Sequence, residues 1–442
     1  MIHSRFTKTA MLLRIQNFAK IRSADVQMNG LTVICGLNNT GKSTVGKVLH
    51  SVFNSLQGID AAVAGQRRKH IKEELNAVLD QINNERAYYG AKHLYFPSSS
   101  LVYARKFDSY EQLLEYVTRK LENDYALREK ETITDHAGLI AKAIWDAIIL
   151  PEEKVRMAYV ESYFRQMFGD QIVSVYDDSV KASVELQIRQ DSIFIEFDEN
   201  RCVCLENPVK IVHRSIYIDN PYIVDALSDD KYARYGGVRP AEKELASLLR
   251  IYKRARLDTR NAYKRTLVSE KLTQVEERFA NIMHGRIVSG AAGLELQQDG
   301  GGSPLRLLNL SLGLKSFVVL YMLLDSLKLQ KKDVLVLDEP EIHLHTEWQV
   351  RYAEIIVLLQ KYFDLSVVVT THSPYFLDAL EQYAVKYGTI QNASFYLSQD
   401  KGGYVDMEDV TGQLNKIYDK ITPSLAALKQ LRYENDNPGT ES

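Results

Sequence analysis

Cysteine is scarce in this chain of 442 residues, which contains only Cys35, Cys202 and Cys204. Three thiols cannot build the even-numbered disulfide framework of a small secreted domain. Cys202 and Cys204 are also too close together for the usual pair of zinc ligands. These absences argue against an extracellular protein and predict a reducing, cytoplasmic location.

Long apolar runs and a strong net charge are missing as well. No apolar run reaches the roughly 18 residues that a membrane-spanning helix needs, and residues 1–10 lack the hydrophobic segment of a signal peptide. We therefore expect no membrane association. A formal charge of −2 excludes a general attraction to nucleic acid, so any basic surface has to be local. The apolar content of 45% is ample for the cores of two or three domains.

The most specific pattern present is a phosphate-binding loop at residues 36–43, whose sequence GLNNTGKS fits G-x-x-x-x-G-K-[ST]. An apolar stretch precedes it at 31–35 and a helix-like stretch follows at 44–50. Glycines allow a tight loop whose N–H groups face the phosphates, and the following helix directs its positive end at the same anion. Lys42 would reach the β- and γ-phosphates and Ser43 a Mg²⁺ ion, so ATP and Mg²⁺ are the expected cofactors. The predicted ATP contacts are Gly36, Asn38, Asn39, Thr40, Gly41, Lys42, Ser43 and Thr44.

Two carboxylates follow a second buried-looking strand at residues 333–338, about 300 residues further on. An acid at the end of a strand beside a phosphate loop can hold Mg²⁺ directly or through water, a role that we assign to Asp338. Glu339 can then polarise the attacking water. A strand that ends in ordinary turn acids is the alternative, but the phosphate loop favours a Walker B motif.

A histidine follows the next predicted strand. The pattern indicates an amphipathic helix at 347–361, a buried strand at 366–370 and a loop at 371–374. His372 therefore faces the same edge of the sheet as the two carboxylates. A lone loop histidine is usually structural, and it is the convergence of three strand ends that predicts a catalytic role.

A fourth segment, residues 309–316, opens an apolar helix. Ser311 and Gly313 at the start of a helix can form another anion site. A serine before a helix is also ordinary capping. The segment is informative only through its place between the other motifs.

The order of these segments resembles that of the ABC-type ATPase heads of the SMC and RecF class, and more closely that of the OLD-like ATPases of bacterial defence systems. The segments that carry the resemblance are residues 12–18, 36–43, 338–345 and 370–374. It implies an α/β fold, namely an ABC-type P-loop NTPase head with a mixed sheet and a helical, α+β insertion between Walker A and the signature. Leu312 and Leu314 depart from the transporter form of the signature, which has small or polar residues there. Gln57 is a candidate for the Q-loop.

The resemblance also implies how the protein assembles. In such heads ATP lies between the P-loop of one protomer and the signature of another, so a homodimer or higher homo-oligomer is expected. Ser311 and Gly313 would contact the nucleotide in trans. His372 would sense the γ-phosphate, while His343 and His345 would lie in a D-loop at the interface. The three histidines could instead be metal ligands, although the D-loop explains them without a metal.

The predicted head is split into residues 11–60 and 285–442, with an insertion at 61–284. The insertion is expected to be a mostly helical arm, because no heptad pattern is sustained over enough turns for a long coiled coil. An alternating section near 172–217 indicates strands, which belong either to the arm or to the head. Residues 433–442 have the composition of a disordered tail.

One stretch of the insertion is basic. Arg256, Arg260 and Lys264 recur at i, i+4 spacing and would form one stripe on a helix. Such a stripe could contact nucleic-acid phosphates in a sequence-independent, salt-sensitive way. An ordinary solvated face is the alternative.

The sequence contains no nuclease motif that we recognise. About 70 residues follow His372, and they include no Asp-x-Asp pair of the Toprim type, nor does the chain show a His/Asn pattern of the HNH type. A partner nuclease of either type would therefore be a separate subunit. The leading hypothesis is a sensor or regulatory ATPase of an anti-phage defence complex, resembling the ATPase components of Septu and PARIS.

Two other hypotheses stay open. A stand-alone DNA repair or maintenance ATPase of the RecF and SMC kind would be stimulated by DNA through the basic stripe. A P-loop kinase or phosphotransferase would act on a small molecule, but it leaves His372 and the signature segment unexplained.

Overall fold

The computed structural model describes residues 11–88, 93–96, 107–122, 130–177, 179–227, 239–252, 273–290, 293–422, 428 and 431–432. The chain divides into two compact units. The first comprises Met1–Gln57 together with Val160–Ser442, and the second comprises Gly58–Tyr159.

The strands belong to two sheets, both in the first unit. In chain order they are β1 (Met11–Phe18), β2 (Ile21–Met28), β3 (Leu31–Cys35), β4 (Ala182–Ile188), β5 (Asp191–Asp198), β6 (Arg201–Glu206), β7 (Ser215–Ile218), β8 (Gly285–Gly290), β9 (Gly293–Gln298), β10 (Leu305–Arg306), β11 (Val334–Asp338), β12 (Ser366–Thr371), β13 (Ala393–Lys401) and β14 (Tyr404–Asp409).

The helices occur in both units. The α-helices are α1 (Lys42–Leu56), α2 (Ile59–Tyr88), α3 (Tyr110–Glu122), α4 (Lys130–Ile148), α5 (Glu152–Phe168), α6 (Pro240–Arg250), α7 (Leu312–Asp325), α8 (Thr346–Phe363), α9 (Pro374–Lys386) and α10 (Asn415–Ile421). A further helical stretch covers residues 273–283. None of the helices among the described residues has the length and apolarity to cross a membrane.

Eleven strands form one sheet in the order β6-β5-β4-β1-β2-β14-β13-β3-β12-β11-β7. From β13 to β7 the neighbours run parallel. β1 pairs antiparallel with both β2 and β4, and β13 pairs antiparallel with β14. The α/β class with a mixed sheet, which the sequence predicted, is confirmed. β8, β9 and β10 form a separate antiparallel sheet.

Two of the parallel strands that lead to the predicted site are buried along their whole length. Every residue of β3 and of β11 is buried, as expected for parallel strands covered on both faces. β2, in contrast, alternates between buried and more exposed positions, which is the pattern of a strand with one solvated face. The parallel part of the sheet is therefore a rigid frame, at whose carboxyl ends polar loops can be held in place.

An apolar helix shares a hydrophobic core with this frame. All residues from Lys315 to Asp325 of α7 are buried. The ring of Phe317 contacts Trp348 and Tyr352 of α8 edge-on, at centroid distances of 5.7 and 5.0 Å. Burial of a large apolar side chain of this kind contributes about 1.5–3 kcal/mol to folding. The start of α7 is thus anchored by the core that holds the parallel strands.

The second unit has a core of its own. α2 contributes apolar residues one turn apart, at Ile71, Leu75, Leu79 and Ile82, which is the spacing of a helix with one buried face. Leu113 of α3 is buried in the same cluster, and α4 supplies its other wall. The unit is therefore a small helical domain.

Part of the predicted insertion at 61–284 lies in the compact helical unit, which ends at Tyr159. β4 pairs with β1 along Met11 to Gln16, so the alternating section extends the sheet of the first unit. The physical reason is that β1 would otherwise leave a row of unpaired backbone groups along that edge.

Part of the predicted arm lies outside the described residues. On either side of the part that is not described lie α6 and the helical stretch at 273–283. The predicted tail at 433–442 also lies outside the described residues, and so does the basic stripe of Arg256, Arg260 and Lys264.

Candidate nucleotide-binding site

Three adjacent parallel strands bring the predicted site residues to one edge of the sheet. β3, β12 and β11 are neighbours in that order, so their carboxyl ends share an edge. The phosphate-loop pattern at 36–43 follows β3, Asp338 is the last residue of β11, and His372 follows β12. Segments that are distant in the sequence therefore meet at this edge.

The loop between β3 and α1 has a backbone that favours glycine. Gly36 and Gly41 have φ values of 156° and 74°, and Asn39 has φ of 64°. A Cβ on Gly36 would lie 2.9 Å from the carbonyl oxygen of Ser398, so a side chain does not fit there. The glycines of the pattern are therefore needed for the shape of the loop.

The outer residues of the loop are open to solvent. Asn38 and Asn39 are exposed, and Ser43 and Thr44 are half-buried. The N–H of Thr44 donates to the carbonyl of Gly41 at 3.1 Å. The first N–H groups of a helix have no acceptor within the helix, so this end of α1 can bind an anion.

Lys42 begins α1, and its side chain is buried. Its Nζ donates to the carbonyl oxygen of Leu37 at 2.8 Å and lies 3.2 Å from Oε1 of Glu339. The Thr40 hydroxyl donates to the same Leu37 carbonyl at 2.7 Å. An ammonium group has three donors. The contacts of Lys42 with the Leu37 carbonyl and with Glu339 therefore leave one N–H of the ammonium group for another acceptor, such as a phosphate oxygen.

Gln57 does not belong to this site, which corrects the Q-loop candidate. It caps the far end of α1, about 22 Å along the helix from Lys42 at 1.5 Å per residue. Its side-chain amide donates to the carbonyl of Val212 at 3.1 Å.

The Asp338 carboxylate accepts hydrogen bonds from three hydroxyl groups. Ser43 and Thr370 donate to Oδ1 at 2.8 and 2.5 Å. The phenol of Tyr217 donates to Oδ2 at 2.5 Å. Burial, followed by the nearby carboxylates of Asp338 and Asp219, raises the pKa of Tyr217 well above its ordinary value. The phenol therefore stays a hydrogen-bond donor at neutral pH.

Glu339 has an uncommon backbone conformation for a residue with a side chain, with φ of 48°. Its N–H donates to the carbonyl and to the hydroxyl of Thr370 at 3.1 and 3.0 Å. A conformation of this kind costs about 1–3 kcal/mol and persists where the surroundings hold it. As a result the Glu339 carboxylate faces Lys42 on one side and His372 on the other.

His372 lies between two carboxylates. Its Nδ1 is 3.6 Å from Oε2 of Glu339 and 3.7 Å from Oε1 of Glu341. Glu341 is buried, and its Oε1 accepts the Thr371 hydroxyl at 2.5 Å and the His372 N–H at 3.2 Å. Burial raises the pKa of Glu341, against the opposing effect of the Thr371 hydroxyl. The histidine loop is thus tied to a buried acid.

The oxygen atoms at this edge suit Mg²⁺. This ion prefers one or two protein oxygens, together with water and phosphate oxygens, over an all-protein cage. Ser43 Oγ and Asp338 Oδ1 supply such oxygens, 2.8 Å apart. Within the described part of the chain, no group of three or more His, Cys, Asp or Glu side chains is arranged to hold a metal.

The residues predicted for the signature and the D-loop line one surface depression. Its volume is about 350 Å³, and its lining residues are Ser311, Leu312, Gly313, His343, His345 and Trp348. Ser311 is exposed, and its hydroxyl accepts the N–H of Leu314 at 3.3 Å, so it caps α7. A Cβ on Gly313 would lie 2.9 Å from the carbonyl oxygen of His343. The two segments are thus in direct contact.

Sequence reasoning missed Tyr217 and Glu341. Tyr217 was placed in the alternating section near 172–217 and Glu341 in the segment 338–345, but neither residue was given a role at the site. One signal was present: Asp219 follows the apolar β7 just as Asp338 ends the apolar β11. That pattern could have indicated a further strand at the same edge.

Comparison with known proteins gives one family. A sequence profile described as AAA ATPase domain matches residues 11–377. No curated protein matches the chain.

Similar solved structures are heads of SMC proteins. The SMC head domain from Thermotoga maritima is 14% identical, with 91% of this chain and 99% of that chain covered and a TM-score of 0.37. The Smc head domain from Pyrococcus furiosus, with an extended coiled coil and bound to the C-terminal domain of ScpA, is 12% identical, with coverage of 95% and 98% and a TM-score of 0.40. An SmcHead bound to the C-winged helix domain of ScpA is also 12% identical, with coverage of 92% and 99% and a TM-score of 0.40.

Proposed function

The chain belongs to the AAA ATPase domain family, and we propose that it binds ATP with Mg²⁺ and hydrolyses it to ADP and phosphate. One observation carries the proposal. Ser43 of the phosphate loop is hydrogen-bonded to Asp338, 295 residues away, at 2.8 Å. A hydroxyl after the loop lysine and an acid at a strand end are the pair that holds the metal in P-loop NTPases.

The loop and the start of α1 bind the triphosphate. Backbone N–H groups of residues 36–43 supply the cradle, and the helix end adds its partial positive charge. Lys42 uses its remaining N–H for a phosphate oxygen. Gly36 and Gly41 keep the cradle free of side chains.

Ser43 and Asp338 would hold the metal ion through the hydroxyl and carboxylate oxygens. When bound, Mg²⁺ neutralises charge that develops on the phosphate oxygens. The Thr370 hydroxyl, on the same oxygen of Asp338 as Ser43, keeps that carboxylate oriented toward the loop.

Glu339 is the general base of hydrolysis. Its carboxylate accepts a proton from the attacking water while the water oxygen bonds to the γ-phosphorus and the bond to the ADP oxygen breaks. His372, with Nδ1 3.6 Å from Oε2 of Glu339, contacts the γ-phosphate from the neighbouring strand. The left-handed backbone at Glu339 directs the base toward Lys42 and hence toward the phosphates.

The first test is ATP binding by a Lys42→Ala variant, with Lys47→Ala as a matched control one and a half turns further along α1. Calorimetry should detect ATP binding by the wild-type protein and by the control, and none by Lys42→Ala. Tight ATP binding by Lys42→Ala would overturn the assignment of the phosphate loop.

Hydrolysis takes place with ATP held between two protomers. This part of the proposal is supported by the exposed depression that joins Ser311 and Gly313 to His343 and His345. Light scattering should show a Glu339→Gln variant as a dimer or larger assembly with ATP and a smaller species without it. A species whose mass is the same with and without ATP would contradict the sandwich.

In the cell the ATPase acts as a sensor or regulatory subunit of an anti-phage complex and controls a separate nuclease of the HNH or Toprim type. The support is the resemblance of its motifs to OLD-like defence ATPases, together with the lack of a recognised nuclease motif in its sequence. Nucleotide state would then decide whether the nuclease is restrained or released.

The test is purification of the tagged protein from its native locus, with neighbouring genes expressed, with and without ATP. Mass spectrometry should find a nuclease in stoichiometric amount. A lone oligomer, or one that carries only DNA, would contradict the regulatory role and favour a stand-alone DNA maintenance ATPase. DNA-stimulated turnover that is lost on neutralising Arg256, Arg260 and Lys264 would then be the decisive measurement.

A further inference from the structure

Among the described residues, Tyr217 is the hydrogen-bond partner of Asp338 that comes from neither the phosphate loop nor the histidine strand. It lies in β7, next to β11 at the end of the sheet. Its side chain is 2% exposed, and its phenol donates to Oδ2 of Asp338 at 2.5 Å. Ser43 and Thr370 donate to the other carboxylate oxygen, Oδ1. The three donors together determine the plane of the carboxylate.

A glycine in α1 lets the tyrosine ring reach this position. Gly46 lies in the second turn of the helix that starts with Lys42, although glycine is a poor helix former. A Cβ on Gly46 would lie 2.7 Å from Cγ1 of Val336 and 3.6 Å from Cε2 of Tyr217. The helix therefore packs closely on β11 and β7, and a larger residue would displace the ring or the strand.

A buried histidine of the same helix also packs against the ring. The rings of His50 and Tyr217 have centroids 5.6 Å apart. His50 is buried, with Nδ1 3.3 Å from the Ser215 hydroxyl and Nε2 3.2 Å from the Tyr163 hydroxyl. The Tyr217 ring therefore cannot swing away from Asp338 without breaking this packing.

We propose that Tyr217 is a positioning residue that orients the Asp338 carboxylate for Mg²⁺, an inference that rests on the proposed ATPase function. Asp338 is 9% exposed, so without the phenol its Oδ2 loses a donor that little water can replace. The carboxylate can then rotate and turn Oδ1 away from Ser43. Groups that hold a metal-binding side chain typically change metal affinity by about 10–100-fold when removed.

The test is a Tyr217→Phe variant, which removes one hydroxyl and keeps the ring. Tyr252→Phe is the matched control, because Tyr252 is also 2% exposed and also donates to a buried aspartate, Asp325. The Mg²⁺ concentration for half-maximal ATPase activity should rise about tenfold or more in Tyr217→Phe and stay unchanged in the control. ATP binding in EDTA should be equal in both, and excess Mg²⁺ should restore turnover in Tyr217→Phe.

Gly46→Ala provides a second, independent variant. The added methyl group should also raise the Mg²⁺ concentration for half-maximal ATPase activity. Gly65→Ala in α2, where a Cβ would meet only the Arg68 side chain at 3.7 Å, should leave it unchanged. If the wild-type protein hydrolyses ATP but Tyr217→Phe needs the same or a lower Mg²⁺ concentration for half-maximal activity, the role of Tyr217 is wrong and the proposed ATPase function stands. A wild-type protein that binds no ATP would overturn the proposed function, and the inference with it.

Discussion

The nucleotide site and the depression around Ser311 are built in opposite ways. In the nucleotide site, side chains from separate elements of secondary structure bond to one another, as Ser43 of α1 and Thr370 of β12 both do to Asp338. In the depression, the Ser311 hydroxyl accepts an N–H of its own helix, and His343 and His345 are exposed to solvent.

The difference has a physical consequence for function. Donors and acceptors that are already oriented and partly buried bind charge without reorganising, whereas exposed groups exchange water for a ligand at little net gain. We infer that the nucleotide site can bind ATP within one chain. In the proposed sandwich, the depression would contribute only when a second molecule covers it.

The largest effect is expected from Glu339→Gln, which removes the proposed general base from the nucleotide site and leaves the depression around Ser311 unchanged. The amide keeps the shape of the side chain but cannot take a proton, so turnover should fall about 10²–10⁴-fold while ATP still binds. Glu347→Gln, at an exposed acid of α8 that pairs with Arg351, is the control. Steady-state phosphate release measures both. Turnover of Glu339→Gln at the wild-type level would exclude Glu339 as the base.

Ser311→Arg should separate the two regions. A bulky charged side chain in the depression should block the approach of a second protomer, so turnover should fall about tenfold or more. ATP affinity of the single chain should stay unchanged, because Ser311 lies outside the nucleotide loop. Ser303→Arg, in an exposed turn of the described chain, should affect neither quantity. Loss of ATP binding in Ser311→Arg would contradict the separation.

Gly313→Ala tests how closely the predicted signature and D-loop segments pack. The new Cβ would lie 2.9 Å from the His343 carbonyl oxygen and 3.1 Å from the Trp348 ring. Overpacking of this kind typically costs about 1–3 kcal/mol. Urea unfolding should show that loss for Gly313→Ala and little change for Gly300→Ala, whose Cβ would meet nothing within 4 Å. Equal stability of the two variants would mean that the contact is loose.

The smallest expected effect concerns the buried acid behind His372. Burial raises the pKa of Glu341 above its ordinary value of 4.5. The stability that this group contributes is therefore fully present below about pH 4.5 and is lost as pH rises through the folded pKa. Glu341→Gln avoids that loss, so its stability relative to wild type should increase as pH rises.

Urea unfolding at pH 5 and pH 8 measures the free energy of unfolding of Glu341→Gln relative to wild type. Glu347→Gln is the control, because its free energy of unfolding relative to wild type should not change between the two pH values. A Glu341→Gln advantage that shrinks as pH rises would show that the carboxylate is the favoured form in the folded protein.

Local motifs were predictable because their chemistry depends on residue types at short spacing. The glycines at 36 and 41 have positive φ values, and β11 is apolar up to its last residue, Asp338. The extent of the insertion was not predictable. β4 is as consistent with an arm as with a head until its pairing with β1 is known.

By itself the sequence determined the α/β class, the strand-loop-helix around Lys42, and the presence of Asp338 and His372 after buried strands. These features follow from apolar periodicity and glycine conformation, which act over a few residues. Only the tertiary structure decided that Tyr217 completes the partners of Asp338 and that Ser311 meets the His343 segment. Both depend on which distant segments bury each other's surface and satisfy each other's hydrogen bonds, and a local pattern does not contain that information.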